Sequence, residues 1–368
     1  MITIYILLTF LLAAFYNILL RKYGKLWKNI TEIEGIISSK KSTFFISILV
    51  PFRNEVNALP RFIESLNQLE INGIELEVIF INDHSTDSSC DLLSLCKLPF
   101  SVLHLEDKKG KKAAIELGWE KSGGEIIFQT DADCALPQQW IPSMLQSFDH
   151  ESIDFVSGPV IYFEPKNFLQ KIIALDFTSL IAIGAAHINW QKPLMCNGAN
   201  MAYRRSLVAN ANIHLNRASG DDIFLLLSAF NSQQNSIQFC KNKQAIVKTE
   251  GPKSLSFFWN QRLRWASKNS DYDSRFNTVL MICIWLYNFI IIGSVLSFSK
   301  LGILVAFFLL LVKTISELNF YNNYMQFIGV KKGYFLILFG QLFHVTYMAI
   351  LPIFSQLLSY KWKARVVK

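Results

Sequence analysis

The sequence predicts an α/β protein, a mostly parallel sheet with helices on both faces, placed between membrane-spanning segments. Three observations carry this. From residue 44 to about 150, nearly continuous apolar runs alternate with amphipathic ones, the pattern of strands buried on both sides of a parallel sheet. Polar clusters close three of those runs. Uncharged apolar stretches about one bilayer long stand at both ends of the chain.

Residues 2–20 carry no charge, and the bases follow them from Arg21 onward. A cleaved secretory signal has its bases in front and a small-residue site behind. Residues 1–22 are therefore expected to be a retained anchor, with its C-terminal flank in the cytoplasm.

Strands are expected at 45–50, 76–81, 100–105 and 126–130, and helices near 57–69, 87–96, 110–121 and 137–148. Ligands of such sheets bind at the carboxyl ends of the strands. The first strand ends in Pro51-Phe52-Arg53-Asn54-Glu55, the second in Asn82-Asp83-His84-Ser85-Thr86-Asp87 and the fourth in Asp131-Ala132-Asp133. All three clusters should thus share one edge, with Asp87 capping the next helix. Asp131 and Asp133, read as alternate strand residues, should share a face. Two carboxylates together repel unless a cation sits between them, and hard oxygen donors select Mg2+ or Mn2+, the usual partners of diphosphate. Lys108-Lys109-Gly110-Lys111-Lys112 opens a helix, where charge and terminal amides suit phosphate. A solvated basic face is the other reading of most of these lysines, and no Walker pattern is present.

Cys196-Asn197-Gly198-Ala199-Asn200 is a small polar turn ahead of an apolar strand at 201–203, where backbone could approach a ligand. Gly220-Asp221-Asp222 heads an apolar helix at 223–230. Acids there are ordinary caps, but a pair leaves one to act as a base. Residues 254–270 combine Phe257, Phe258, Trp259 and Trp265 with Gln261, Arg262 and Arg264, an amphipathic helix of the interfacial kind. Residues 168–183 are either a second interfacial stretch or a buried helix. Uncharged runs at 277–299, 301–312 and 333–360 make 277–360 a C-terminal membrane region of about three spans. Three spans after a cytoplasmic domain over 42–253 put the basic tail, 361–368, outside, although its charge prefers the inside. Either one segment is re-entrant or interfacial, or the tail breaks the rule.

The chain has 368 residues, 51% apolar and 17% charged, which excludes disordered, collagen-like and disulfide-scaffold classes. Its formal net charge is +8. Arg21, Lys22, Lys25, Lys28, Lys40 and Lys41 against Glu32 and Glu34, with Lys361, Lys363, Arg365 and Lys368 in the tail, account for all of it. The excess flanks apolar segments, so a membrane surface is favoured and nucleic acid is not an expected partner. The six cysteines form no C-x-x-C pair and read as free thiols of a reducing compartment.

These motifs, in this order, resemble the membrane-bound family 2 glycosyltransferases of the GT-A fold, over roughly residues 44–270. The family's P-x-x-N-E is matched by Pro51, Asn54 and Glu55, and its D-D-x-S-x-D by residues 82–87 with Asn82 in place of the first Asp. Its D-x-D is Asp131-Ala132-Asp133, its E-D pair is Asp221-Asp222 and its Q-x-x-R-W is Gln261, Arg264 and Trp265. The resemblance implies that Pro51, Glu55, Asp83 and Asp131 bind a nucleotide-sugar, usually UDP-linked, and that Asp133 ligates Mg2+ or Mn2+; Lys111, from the basic run, is expected to join them on the phosphates. Asp222 would be the general base, with Gln261, Arg264 and Trp265 also in the catalytic set. It further implies an inverting transfer to a lipid acceptor at the cytoplasmic face of the inner or plasma membrane. Processive β-polysaccharide synthases share Q-x-x-R-W but usually carry more spans, and they are the alternative. An inactive sugar-nucleotide-binding scaffold is disfavoured by the intact Asp133, Asp222 and Arg264. A nucleotidyltransferase should carry a glycine-rich loop after its first strand, and residues 51–55 contain no glycine.

Overall fold

The computed structural model describes residues 2–33, 44–210, 220–233, 236–266, 274–330, 334–357, 360–362 and 365–367. The chain divides into two compact units. One comprises residues 29–163 and 181–250, and the other residues 1–28, 164–180 and 251–368.

The first unit is built on a seven-stranded sheet. Its strands are β1 (Phe45–Phe52), β2 (Glu75–Asn82), β3 (Phe100–His104), β4 (Ile126–Gln129), β5 (Phe155–Ser157), β7 (Met201–Arg204) and β8 (Ile237–Phe239), in spatial order β3-β2-β1-β4-β7-β5-β8. Only β7 runs antiparallel to its neighbours. Seven of the eight β1 residues are buried, as an apolar run covered on both faces should be. Helices α2 (Leu59–Asn67), α3 (Lys111–Lys121) and α4 (Trp140–Leu145) join the first strands. Gly118 of α3 lies against Leu49 and Ile81, and a Cβ on Gly124 would strike the Ser47 backbone nitrogen. A smaller parallel pair joins β6 (Val160–Tyr162) to β9 (Val247–Thr249), and Ala135 bridges to Lys248 beside it. Helix α6 (Arg205–Asn210) and helix α7 (Asp221–Ser232) complete this unit.

Register explains why the polar clusters share an edge. Phe52 pairs with Asn82 and Asn82 with His104, so β1, β2 and β3 end level with one another. β4 pairs with β1 up to Leu49 and Gln129, which brings the turn after it to the same edge.

Two expected helices are shorter than the sequence pattern suggests. Residues 87–96 form only a 3₁₀ turn, Asp91–Leu95, because Pro99 lies four residues on and the chain must already be extended before it. Residues 137–148 hold the short α4 and a 3₁₀ turn, Gln146–Asp149.

The second unit is helical. Its long helices are α1 (Ile2–Asn29), α9 (Arg275–Leu296), α10 (Lys300–Phe327) and α11 (Tyr334–Leu357), with α8 (Leu255–Ala266) ahead of α9. Helix α5 (Phe168–Asn189) passes from this unit into the sheet unit at residues 180–181. Among the described residues, five helices are long and apolar enough to cross a membrane: α1, α5, α9, α10 and residues 336–355 of α11. The most apolar part of α5 is 72% buried inside the protein, against 28–39% for the others, so α5 is a helix packed among protein. The third apolar run, expected over 301–312, extends as one helix to Phe327. Lys313 and Glu317 face each other one turn apart within it, so neither charge is buried alone. Trp27 of α1 packs on Tyr324 and Phe327 of α10, and Tyr16 stacks on Tyr287 of α9 at 4.5 Å. The tail pairs Tyr360–Trp362 (β10) with Arg365–Val367 (β11), an antiparallel ladder that its basic composition did not announce.

Candidate active site

The loops after β1 and β2 are fastened together by side chains. Asn54, in the left-handed region at φ 51°, accepts the Thr86 amide at 2.8 Å and donates its own amide to Ser85 Oγ at 3.0 Å. The Glu55 amide donates to Ser89 Oγ at 2.8 Å, and the Val56 amide to Asp87 Oδ2 at 3.2 Å. Asp87 also accepts from the Ser89 hydroxyl at 2.6 Å. Burial works against the Asp87 charge, but the bonds from Ser89 and the Val56 amide outweigh it and hold the carboxyl below its usual range. Asp87 therefore ties two loops together instead of capping a long helix. Asn82 accepts the Ser85 amide at 2.8 Å and lies 3.1 Å from His104 Nδ1. Asp83 is buried at 2% exposure, and Arg53 donates to its carbonyl at 2.9 Å with its carboxylate 3.9 Å away.

Asp131 and Asp133 lie just beyond β4, not in it. The Cys134 amide donates to the Asp131 carbonyl at 3.1 Å and closes a turn, so strand alternation is not what orients the two acids. Lys111, at the start of α3, forms an ion pair with Asp131. Asp133 accepts from Thr249 Oγ1 at 3.3 Å, and its carbonyl accepts from Arg61 at 3.1 Å. Arg61 is held in turn by Glu250 at 3.0 Å and by the Phe163 ring at 3.9 Å. Cys134 reports the local field. Burial and then the charges of Asp133 and Asp131 push its thiol well above the ordinary value.

Gly198 brings these groups to Asp222. A Cβ placed on it would lie 3.4 Å from Lys111 Nζ, and 3.5 Å from both Asp222 Cβ and Gln129 Nε2. The Lys111–Asp131 ion pair and the first turn of α7 thus both lie close to Gly198, in the turn over residues 196–200. The far end of that turn is Asn200, fully buried. Its amide oxygen accepts from Trp140 Nε1 at 2.8 Å, and its amide nitrogen donates to the carbonyls of Pro159 and Ala245 at 2.9 and 2.8 Å. Asp222 Oδ1 accepts the amide of the next residue, Ile223, at 3.0 Å. The side chain of Asp221 lies outside the described residues.

The remaining candidates stand on α8 in the helical unit. Gln261 and Trp265 are one turn apart on one face, with Arg264 beside them. Trp265 lies 6.1 Å from Phe177.

Among the described residues, no three His, Cys, Asp or Glu side chains are grouped to hold a metal ion. A divalent cation that binds substrate phosphates through one or two carboxylates needs no such cage. The hard oxygens of Asp131 and Asp133 suit that kind of site.

This mostly parallel sheet with acids at its edge has counterparts among known proteins. Residues 47–210 match the family described as Glycosyl transferase family 2. Those residues, somewhat less than half of the chain, resemble that family, and the fold is of the GT-A kind. The poly-beta-1,6-N-acetyl-D-glucosamine synthase of Staphylococcus aureus is 24% identical over 246 residues, 65% of this chain and 55% of that protein. The undecaprenyl-phosphate 4-deoxy-4-formamido-L-arabinose transferase of Pseudomonas syringae is 32% identical over 110 residues, 28% of this chain and 32% of that protein. The chain spans about half the length of the curated relatives it matches. Among solved structures, the mannosyltransferase PcManGT of Pyrobaculum calidifontis, in complex with GDP-Man and Mn2+, aligns over 92% of this chain and 98% of its own. Its TM-score is 0.56 at 15% identity, a likeness of fold.

Proposed function

We propose that this protein transfers one sugar from a nucleotide-sugar, UDP-linked by the family's habit, to a lipid acceptor at the cytoplasmic face of the inner or plasma membrane. The observation that carries it is that the Lys111–Asp131 ion pair and Asp222 both stand close to Gly198, near the carboxyl edge of the sheet. Asp222 takes the proton from the acceptor hydroxyl as that oxygen bonds to the anomeric carbon. The bond from that carbon to the nucleoside diphosphate breaks, so the configuration inverts. Pro51, Glu55 and Asp83 bind the nucleoside. Lys111 and Asp131 lie on the diphosphate side, and Asp133 would hold Mg2+ or Mn2+. When bound, the cation supplies charge neutralisation to the leaving diphosphate. Gln261, Arg264 and Trp265 enter as catalytic residues by the motif they form.

In this reading residues 1–22 anchor the chain and 42–253 catalyse. Residues 254–270 lie at the interface, 277–360 span the membrane and 361–368 form a basic tail. The transferase from Pseudomonas syringae, named for a lipid-linked phosphate, supports a lipid acceptor. The synthase from Staphylococcus aureus matches more of the chain and supports processive β-glycan synthesis as the second reading. Membranes containing the protein, given a panel of labelled nucleotide-sugars, distinguish the two by product size. A single added sugar on extractable lipid supports the first, and a long glycan the second.

A further inference from the structure

Helix α8 holds a residue that its motif does not name. Arg262, between Gln261 and Arg264, is 3% exposed and cannot reach a substrate in solution. Its guanidinium forms an ion pair with Asp176 of α5 through the carboxylate oxygen Oδ2. The other oxygen of Asp176 accepts from the Tyr347 hydroxyl of α11. On its own helix, Arg262 donates to Gln261 Oε1 at 3.4 Å. It also stacks over the Phe258 ring at 4.8 Å and the Trp265 ring at 4.4 Å.

A planar guanidinium with several fixed donors can do all of this at once, which a lysine ammonium cannot. A buried charge pair is weak evidence for stability, because apolar replacement of both partners often costs nothing. What this pair does provide is a fixed point, since Asp176 pins Arg262 from another helix. Arg262 then touches two of the three motif residues, one by hydrogen bond and one by its face.

We propose that Arg262 is the positioning residue of the Q-x-x-R-W segment, holding Gln261 and Trp265 in place through its fixed pairing with Asp176. This rests on the glycosyltransferase reading, in which those two residues serve the transfer.

The test uses full-length protein in membranes or detergent. Arg262→Met alone takes from Asp176 its paired guanidinium, leaving Tyr347 and, at 3.9 Å, His344 beside it, and is expected to lower the melting temperature. The double variant Arg262→Met with Asp176→Asn removes both charges and keeps an acceptor for Tyr347, so melting should recover. Its kcat should remain about 10–100-fold low, the usual effect of misplaced catalytic groups. Donor KM should stay within about twofold, because uniform binding is not what is lost. Arg262→Lys keeps the charge but not the planar fork, so it should melt above Arg262→Met and still lose kcat. Hydrogen exchange over residues 255–266 should quicken in the double variant, a readout that needs no turnover. Wild-type kcat together with wild-type exchange in the double variant overturns the proposal. Wild-type protein that transfers no sugar overturns the functional reading instead, and the exchange rates still decide the role of Arg262.

Discussion

Replacing Asn200 by Ala tests how the site is held at its base. The substitution removes one acceptor and two donor contacts, from Trp140 Nε1 and to the carbonyls of Pro159 and Ala245. Each such bond contributes about 0.5–1.5 kcal/mol net, and a buried group left without a partner costs about 1–3 kcal/mol. With the site fully buried, water reaches none of the three orphaned groups without a rearrangement. The expected loss is therefore about 3–6 kcal/mol, near the upper end for a single substitution. Gly158 supplies an internal control, since a Cβ there would collide with the Asn200 amide. Gly158→Ala should destabilise the wild type and do so much less in the Asn200→Ala background, a coupling read by a double-mutant cycle. The assay is unfolding of the detergent-solubilised protein, followed by a probe confined to the sheet unit. A loss below about 1 kcal/mol for Asn200→Ala, or strict additivity with Gly158→Ala, would refute the reasoning.

Two further outcomes follow from the same geometry. Asp87 has its carboxyl held below the usual range in the folded protein, so its contribution is complete above about pH 4, the unfolded value. That contribution fades as pH falls through the lower folded value. Asp87→Asn should accordingly destabilise the protein at neutral pH, with the difference from wild type shrinking in acid melts. Chelation should stop transfer, and added Mn2+ or Mg2+ should restore it. Unchanged release of nucleoside diphosphate in excess EDTA would remove the role given to Asp133.

The sheet was readable because its first four strands are apolar runs of four to eight residues. Strands β5, β6, β8 and β9 hold three residues each, too few for any periodicity to register. The acids at the strand ends were visible as motifs, but their partners were not. Arg61 and Thr249 reach Asp133 from 72 and 116 residues away, and nothing local in the sequence marks them. Asp131 and Asp133 were expected to share a strand face, yet the turn closed by Cys134 orients them. Asp176 and Arg262 illustrate the same limit. An acid inside an apolar helix signals a buried partner, but only packing reveals that the partner lies 86 residues on and belongs to α8. Lys313 and Glu317 broke the expected third apolar run on paper, while in the fold their mutual pairing lets the helix continue.

The central claim is that Asp222 removes the acceptor proton in a sugar transfer from a nucleotide donor. Its most direct measurement compares wild type with Asp222→Asn for transfer from the labelled donor that the wild type accepts, and for binding of that donor. The account predicts a loss of at least about 100-fold in kcat, as expected when a positioned base is removed, with donor affinity unchanged. Turnover by Asp222→Asn at the wild-type rate would contradict it.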